Sequence, residues 1–96
     1  MESVKMLKLV VVSQTKCVPC TVIKNQIMER IEEFQALDCE TLFVNLDGLE
    51  DKDTYIAKHH LTSTPTIWIE EDGVKLFEHA GYTDVDSLIT TIGGLK

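Results

Sequence analysis

Met6-Leu7-Lys8-Leu9-Val10-Val11-Val12-Ser13-Gln14-Thr15-Lys16-Cys17-Val18-Pro19-Cys20 is the stretch from which the rest of the chain can be read. Met6 to Val12 is β-branched, of strand length and apolar at nearly every position, which suits a central strand covered on both faces. Polar Ser13 to Lys16 breaks it, and two cysteines three residues apart follow. Beyond them Ile23, Ile27, Ile31 and Phe34 recur at spacings of four, four and three, which puts them on one stripe of a helix from Val18 to Gln35. Both cysteines then lie at the N-terminus of that helix.

The remaining elements follow from the same periodicities. Thr41 to Leu46 reads as a strand ended by Asp47-Gly48, and the helix before it is long enough to be the crossover of a parallel βαβ unit. Glu50, Asp51 and Asp53 precede Lys58, His59 and His60, the charge order a helix macrodipole favours, so a short helix is expected there. Pro65 opens the run Thr66 to Ile69, and Asp72-Gly73 separates it from Val74 to Phe77, the signature of an antiparallel hairpin. Val85, Leu88, Ile89 and Ile92 predict a last helix, with Thr83 and Asp86 as a capping box and Gly93-Gly94 as its stop. The order βα, βα, ββα defines an α/β fold with a four-stranded mixed sheet and three helices.

At 96 residues the chain is expected to be one domain, residues 1–96, burying roughly two-thirds of its unfolded surface. No segment is Pro-, Gly- or Ser-rich and none repeats. Sixteen acidic against nine basic residues give a net charge of −7, which repels a phosphate backbone and argues against nucleic acid or an anionic membrane as partner. Leu9 to Val12 is the longest aliphatic run, far short of the roughly 20 residues that span a bilayer, and Lys5 and Lys8 interrupt any signal-peptide core. A cytoplasmic monomer is expected.

The chemistry sits in Cys17-Val18-Pro19-Cys20. At a helix N-terminus the unpaired N–H groups and the positive dipole end stabilise a thiolate, and only the thiolate attacks a disulfide. Cys17 is therefore the candidate nucleophile. Cys20, nearly one turn deeper and within disulfide reach, is the candidate resolving thiol. Pro19 gives up no hydrogen bond in the first helical turn and restricts it. Between Ser3 and Met28 there is no acidic residue, while Lys5, Lys8, Lys16 and Lys24 fall there, and Lys16 and Lys24 are the closest candidates for tuning the thiolate.

Val10-Val11-Val12 before the cysteine motif, then Val44-Asn45-Leu46-Asp47, Thr64-Pro65-Thr66, Asp72-Gly73-Val74 and Gly81 complete a pattern that resembles the thioredoxin family over about Leu7 to Ile92. The resemblance implies a minimal thioredoxin fold and a cis Thr64-Pro65 bond facing the cysteines. It also implies a substrate groove bordered by Thr64, Pro65 and Gly81, with Tyr82 beside them. Lys16 stands where thioredoxins carry a tryptophan, Val11 where they carry a buried aspartate, and Phe43 where they carry a strand lysine. Only about five residues precede the first strand, so a glutaredoxin-sized version is expected, without the strand and helix that open a full-length thioredoxin. Short archaeal or phage-type thioredoxins and the redoxins that serve ribonucleotide reductase combine these traits.

The implied activity is a protein-disulfide reductase, with no bound cofactor beyond a redox-active Cys17–Cys20 disulfide. Its partners would be disulfide-containing proteins, ribonucleotide reductase among them, and a reductase; reducing equivalents would come from a thioredoxin reductase or from glutathione. A glutathione-dependent, glutaredoxin-like enzyme is the neighbouring alternative, although Ala80-Gly81 stands where glutaredoxins usually have Gly-Gly. A non-catalytic binding or metal-carrying module is the alternative from another class, but no second Cys-x-x-Cys supplies the further ligands zinc needs. Cys39, in a connection flanked by acids, reads as an incidental thiol. His59, His60 and His79 read as structural or solvent-facing, and Trp68 as core.

Overall fold

The computed structural model describes residues 6–96, so Lys5 lies outside the described residues. Strand β1 (Leu7–Ser13) is followed by helices α1 (Val18–Glu29) and α2 (Ile31–Ala36), then strand β2 (Cys39–Asn45), a 3-10 turn (Leu46–Gly48) and helix α3 (Lys52–His59). Strands β3 (Thr66–Glu71) and β4 (Val74–Ala80) and helix α4 (Val85–Leu95) complete the order. The four strands form one sheet in the order β2-β1-β3-β4. β1 pairs parallel with β2 and antiparallel with β3, and β3 pairs antiparallel with β4. This is the mixed α/β architecture read from the sequence.

β1 is central, and its alternation explains why it is apolar throughout. Leu7, Leu9 and Val11 enter one core with Ile23 and Ile27 of α1, Phe34 of α2, Ile67 and Ile69 of β3, and Val85, Leu88 and Ile92 of α4. Val10 and Val12 point to the other face, where Trp68 and Leu46 are buried and Tyr55 and Ile56 of α3 pack against them. Helices thus cover both faces of the sheet, and successive β1 residues are buried on opposite sides.

Four expectations need correction. The helix from Val18 to Gln35 is two helices, making four α-helices rather than three, and it breaks at Arg30, whose backbone lies at φ −118°, ψ 25°. A straight helix of that length would run about 27 Å, longer than a seven-residue strand of about 23 Å, and the turn brings Phe34 back onto the core at the β2 side. The Arg30 guanidinium pins the break, bonding Glu33 of α2 and Asp86 of α4.

At the last helix, Asp84 is the N-cap, its carboxylate accepting the Ser87 N–H at 2.7 Å, while Asp86 serves Arg30. Thr83 and Asp86 do not form the capping box. Gly93-Gly94 does not end the helix, which continues to Leu95 and packs that side chain against the first core. Finally, Cys39 is not in a connection: it opens β2, pairs in register with Leu7 and is buried.

The hairpin matches its sequence signal. Asp72 (φ 52°) and Gly73 (φ 83°) both adopt positive φ, the two-residue turn whose twist fits the flanking strands. Glu71 and Val74 pair directly across it.

Candidate active site

Cys17 is the N-cap of α1. Its extended backbone lets Sγ turn back over the first helical turn and accept the Cys20 N–H at 3.3 Å. The Cys17 carbonyl is held by both the N–H and the hydroxyl of Thr21, each at 3.2 Å. Sulfur therefore occupies the position that an oxygen cap takes in other helices, paired to an N–H of the first turn. Pro19 lies in this first turn, where a missing N–H costs nothing.

The two sulfurs form a disulfide with the Cα atoms 5.2 Å apart. The pair is unequal in access: Cys17 is half-buried, whereas Cys20 is only 3% exposed. Of the two sulfurs, Cys17 is therefore the one more open to solvent.

The loop Gln14 to Lys16 is tied down from the 3-10 turn after β2. Asp47 Oδ2 accepts the Thr15 N–H at 2.8 Å, and Asp47 is itself oriented by its own N–H donating to Asn45 Oδ1 at 2.9 Å and by Lys52 Nζ at 3.6 Å. The Thr15 contacts and the Lys52 charge hold the Asp47 carboxyl below its usual range. Cys17 N–H donates to the Gln14 carbonyl at 3.3 Å, closing the turn. Lys16 sits in that turn with φ 66°, exposed.

Opposite the cysteines, the Thr64–Pro65 peptide bond is cis and Pro65 is buried. Gly81, at φ 95°, donates its N–H to the Pro65 carbonyl at 2.7 Å, locking the end of β4 onto this corner. The Thr64 hydroxyl stands 3.0 Å from Gln14 Oε1 and 3.7 Å from Cys17 Sγ. Cys17, Cys20, Thr64, Pro65 and Gly81 thus converge at one end of β1 and β3.

The other sequence-selected residues lie around this centre. Lys16 and Lys24 line a cleft of about 200 Å³ on the Cys20 side, with Ser13, Thr15, Thr21 and Asn45. The Lys24 ammonium sits 5.4 Å over the Phe43 ring. Tyr82, 46% exposed, reaches across to α1, its hydroxyl donating to Gln26 Oε1 at 3.3 Å.

Val11 and Phe43 are direct register partners on β1 and β2. The two positions where the resemblance expects a buried carboxylate and a lysine therefore form one cross-strand apolar pair, and Lys24 supplies a cation from the helix side. Among the described residues no carboxylate lines the cleft beside Cys20.

Gln14 and Asp47 were missed as site residues. Asp47 carried a signal in its Asn45-to-Gly48 turn, but only folding places it against Thr15, 32 residues earlier. Gln14 carried none. His59 lies between Tyr55 and Trp68, and His79 Nε2 contacts the Tyr82 carbonyl at 3.2 Å. Among the described residues no group of three or more His, Cys, Asp or Glu side chains is placed to hold a metal ion, and no helix is long and apolar enough to cross a membrane.

A β2-β1-β3-β4 sheet covered by helices on both faces, with a Cys-x-x-Cys disulfide where the central strand meets its helix, defines a thioredoxin fold. Solved thioredoxins superpose on it across nearly the whole chain. Thioredoxin f2 of Chlamydomonas reinhardtii gives a TM-score of 0.80 at 20% identity, covering 96% of this chain and 81% of that one. The Fasciola hepatica thioredoxin gives 0.79 at 24% identity, with 96% and 83% covered. Oxidised thioredoxin O2 of Arabidopsis thaliana gives 0.76 at 25% identity, with 95% and 76% covered. No curated protein matches the chain at a significant level. The family model of the thioredoxin-like domain matches residues 2–94, and the chain belongs to that family.

Proposed function

We propose that this protein is a cytoplasmic thiol–disulfide oxidoreductase, acting as one domain, that reduces disulfides in other proteins through Cys17 and Cys20. The observation that carries the reading is the sulfur cap: the more exposed Cys17 Sγ faces the Cys20 N–H at 3.3 Å at the positive end of α1. In the reduced protein those donors favour the Cys17 thiolate.

The thiolate attacks one sulfur of a substrate disulfide, forming a Cys17–substrate bond as the substrate S–S bond breaks and its other sulfur leaves as a thiolate that takes a proton. Cys20, once deprotonated, attacks Cys17 Sγ, reforming the intramolecular disulfide and releasing the second substrate thiol. The substrate gains two electrons and two protons; the protein becomes oxidised and is recharged by a reductase or a small thiol. Among the described residues the cleft beside Cys20 is lined by lysines and neutral polar side chains, so the Cys20 proton leaves to water. The Thr64 main chain offers an extended substrate segment a backbone edge beside Cys17, with Pro65 and Gly81 bordering the groove.

The lysine-lined cleft favours one second reading, recycling by glutathione, because Lys16 and Lys24 present cations to a small acidic peptide. Insulin-disulfide reduction run with thioredoxin reductase and NADPH, and in parallel with glutathione and glutathione reductase, separates the two. Turnover in the first system supports the protein-disulfide reductase; turnover in the second alone moves the protein to the glutathione-dependent class. Inactivity in both, and with dithiothreitol, overturns the catalytic reading.

A further inference from the structure

Thr64 has one hydroxyl proton and two acceptors within reach, Gln14 Oε1 at 3.0 Å and Cys17 Sγ at 3.7 Å. In the disulfide, Cys17 sulfur is a weak acceptor and the shorter contact goes to the amide oxygen. A thiolate reverses that order, because hydrogen bonds to an ionised acceptor are roughly twice as strong as neutral ones. For Thr64 to turn its proton to Cys17, its oxygen must then accept a donor in place of giving one to Gln14. A glutamine side chain meets both demands, since rotating the amide end over end exchanges Oε1 for Nε2 at the same place.

We propose that Gln14 is a positioning residue for the disulfide chemistry, switching from acceptor to donor toward Thr64 so that the Thr64 hydroxyl is held on the Cys17 thiolate. The proposal rests on the functional reading above and deepens it. Gln14 is well placed for the role. Its carbonyl already holds the Cys17 N–H at 3.3 Å, so its backbone stays fixed while its amide turns, and the side chain belongs to neither core. The relay Gln14–Thr64–Cys17 joins the loop after β1, the corner before β3 and the start of α1.

The test is the pH profile of Cys17 alkylation by iodoacetamide in the reduced full-length protein, read by mass spectrometry of the Cys17 peptide. Thr64→Val is expected to move the midpoint up by about one pH unit and Gln14→Leu by about half a unit. Gln14→Met, which keeps the side-chain length, carries no charge and donates nothing, should move it by a similar amount, and supplies a second measurement should leucine disturb the loop. In the Thr64→Val background, Gln14→Leu should add nothing, because Gln14 acts through Thr64. An unchanged or lowered midpoint in Gln14→Leu and Gln14→Met, or a Gln14→Leu shift that survives in Thr64→Val, overturns the proposal. Alkylation needs no disulfide substrate, so a coupled midpoint in a protein inactive on insulin defeats the functional reading while the Gln14–Thr64 relay to the Cys17 thiolate still holds, and the two failures are told apart.

Discussion

The Asp47 carboxylate, just beyond the end of β2, accepts the Thr15 N–H at 2.8 Å and so holds the loop that leads into the cysteine motif. A single residue in the turn after the neighbouring strand thereby ties down the loop that precedes α1. The site is built on a clamped loop as well as on a helix end.

Asp47→Ala should release that loop. Amide exchange at Thr15 is expected to quicken and the thermal midpoint to fall. The wild-type protein should lose the same support in acid: the Asp47 carboxyl is held below its ordinary 3.8, so its contribution is complete above that pH and disappears as pH falls through the lower folded value. Unchanged exchange at Thr15 in Asp47→Ala would contradict the clamp.

His59 stacks on Trp68 with ring centroids 4.6 Å apart and touches Tyr55 at the same distance. Burial first, then the charges of Lys75 and Lys58, push its pKa below the ordinary 6.5, against smaller opposing effects of Glu70 and Glu78. The neutral ring is favoured in the folded protein, so stability is full above 6.5 and declines as pH falls through the folded value. His59→Phe should flatten that segment of the stability curve, followed by fluorescence of the single tryptophan. A curve of the same slope in both proteins would count against the stack as its cause.

Cys39 should be inert while the protein is folded. Burial raises its thiol to about 11, with Glu40 adding in the same direction, against lowering by the Leu9 backbone and Lys96. In reduced protein at about pH 8, alkylation should label Cys17 well before Cys39, which becomes reactive only on unfolding. Equal labelling rates would show that Cys39 is open to solvent.

Ile27 is fully buried between α1 and the sheet, whereas Val22 on the same helix is 39% exposed. Ile27→Ala should destabilise by about 2–5 kcal/mol in urea unfolding, and Val22→Ala by less than about 0.5 kcal/mol. Similar losses for both would mean that the helix packs through another face.

The strand pattern was legible because burial repeats with the backbone's own period. β1 could be read as central since both Val10 and Val11 had to be covered, and Asp72-Gly73 named its hairpin turn through the positive φ both residues adopt. The helix break was not legible: Ile23, Ile27, Ile31 and Phe34 keep one stripe whether or not Arg30 turns, and the Arg30 contact with Asp86 spans 56 residues. The capping box read at Thr83 and Asp86 did not form: Asp84 accepts the Ser87 N–H, while Asp86 pairs with Arg30, a partner no local pattern could name.

The cysteine pair announced itself through spacing and its place after a strand. Gln14, Asp47 and the Tyr82–Gln26 contact stayed hidden, because their roles depend on which loops meet and not on local pattern.

The most direct test of the account is a trapping experiment with reduced Cys20→Ser and Cys17→Ser proteins offered a disulfide-bonded protein such as insulin. Cys20→Ser should accumulate a mixed disulfide, found by mass spectrometry at Cys17 and released by dithiothreitol, while Cys17→Ser should accumulate none there and lose turnover. An adduct at Cys20 in Cys17→Ser with turnover retained would contradict the assignment of Cys17 as the attacking thiol and of Cys20 as the one that resolves it.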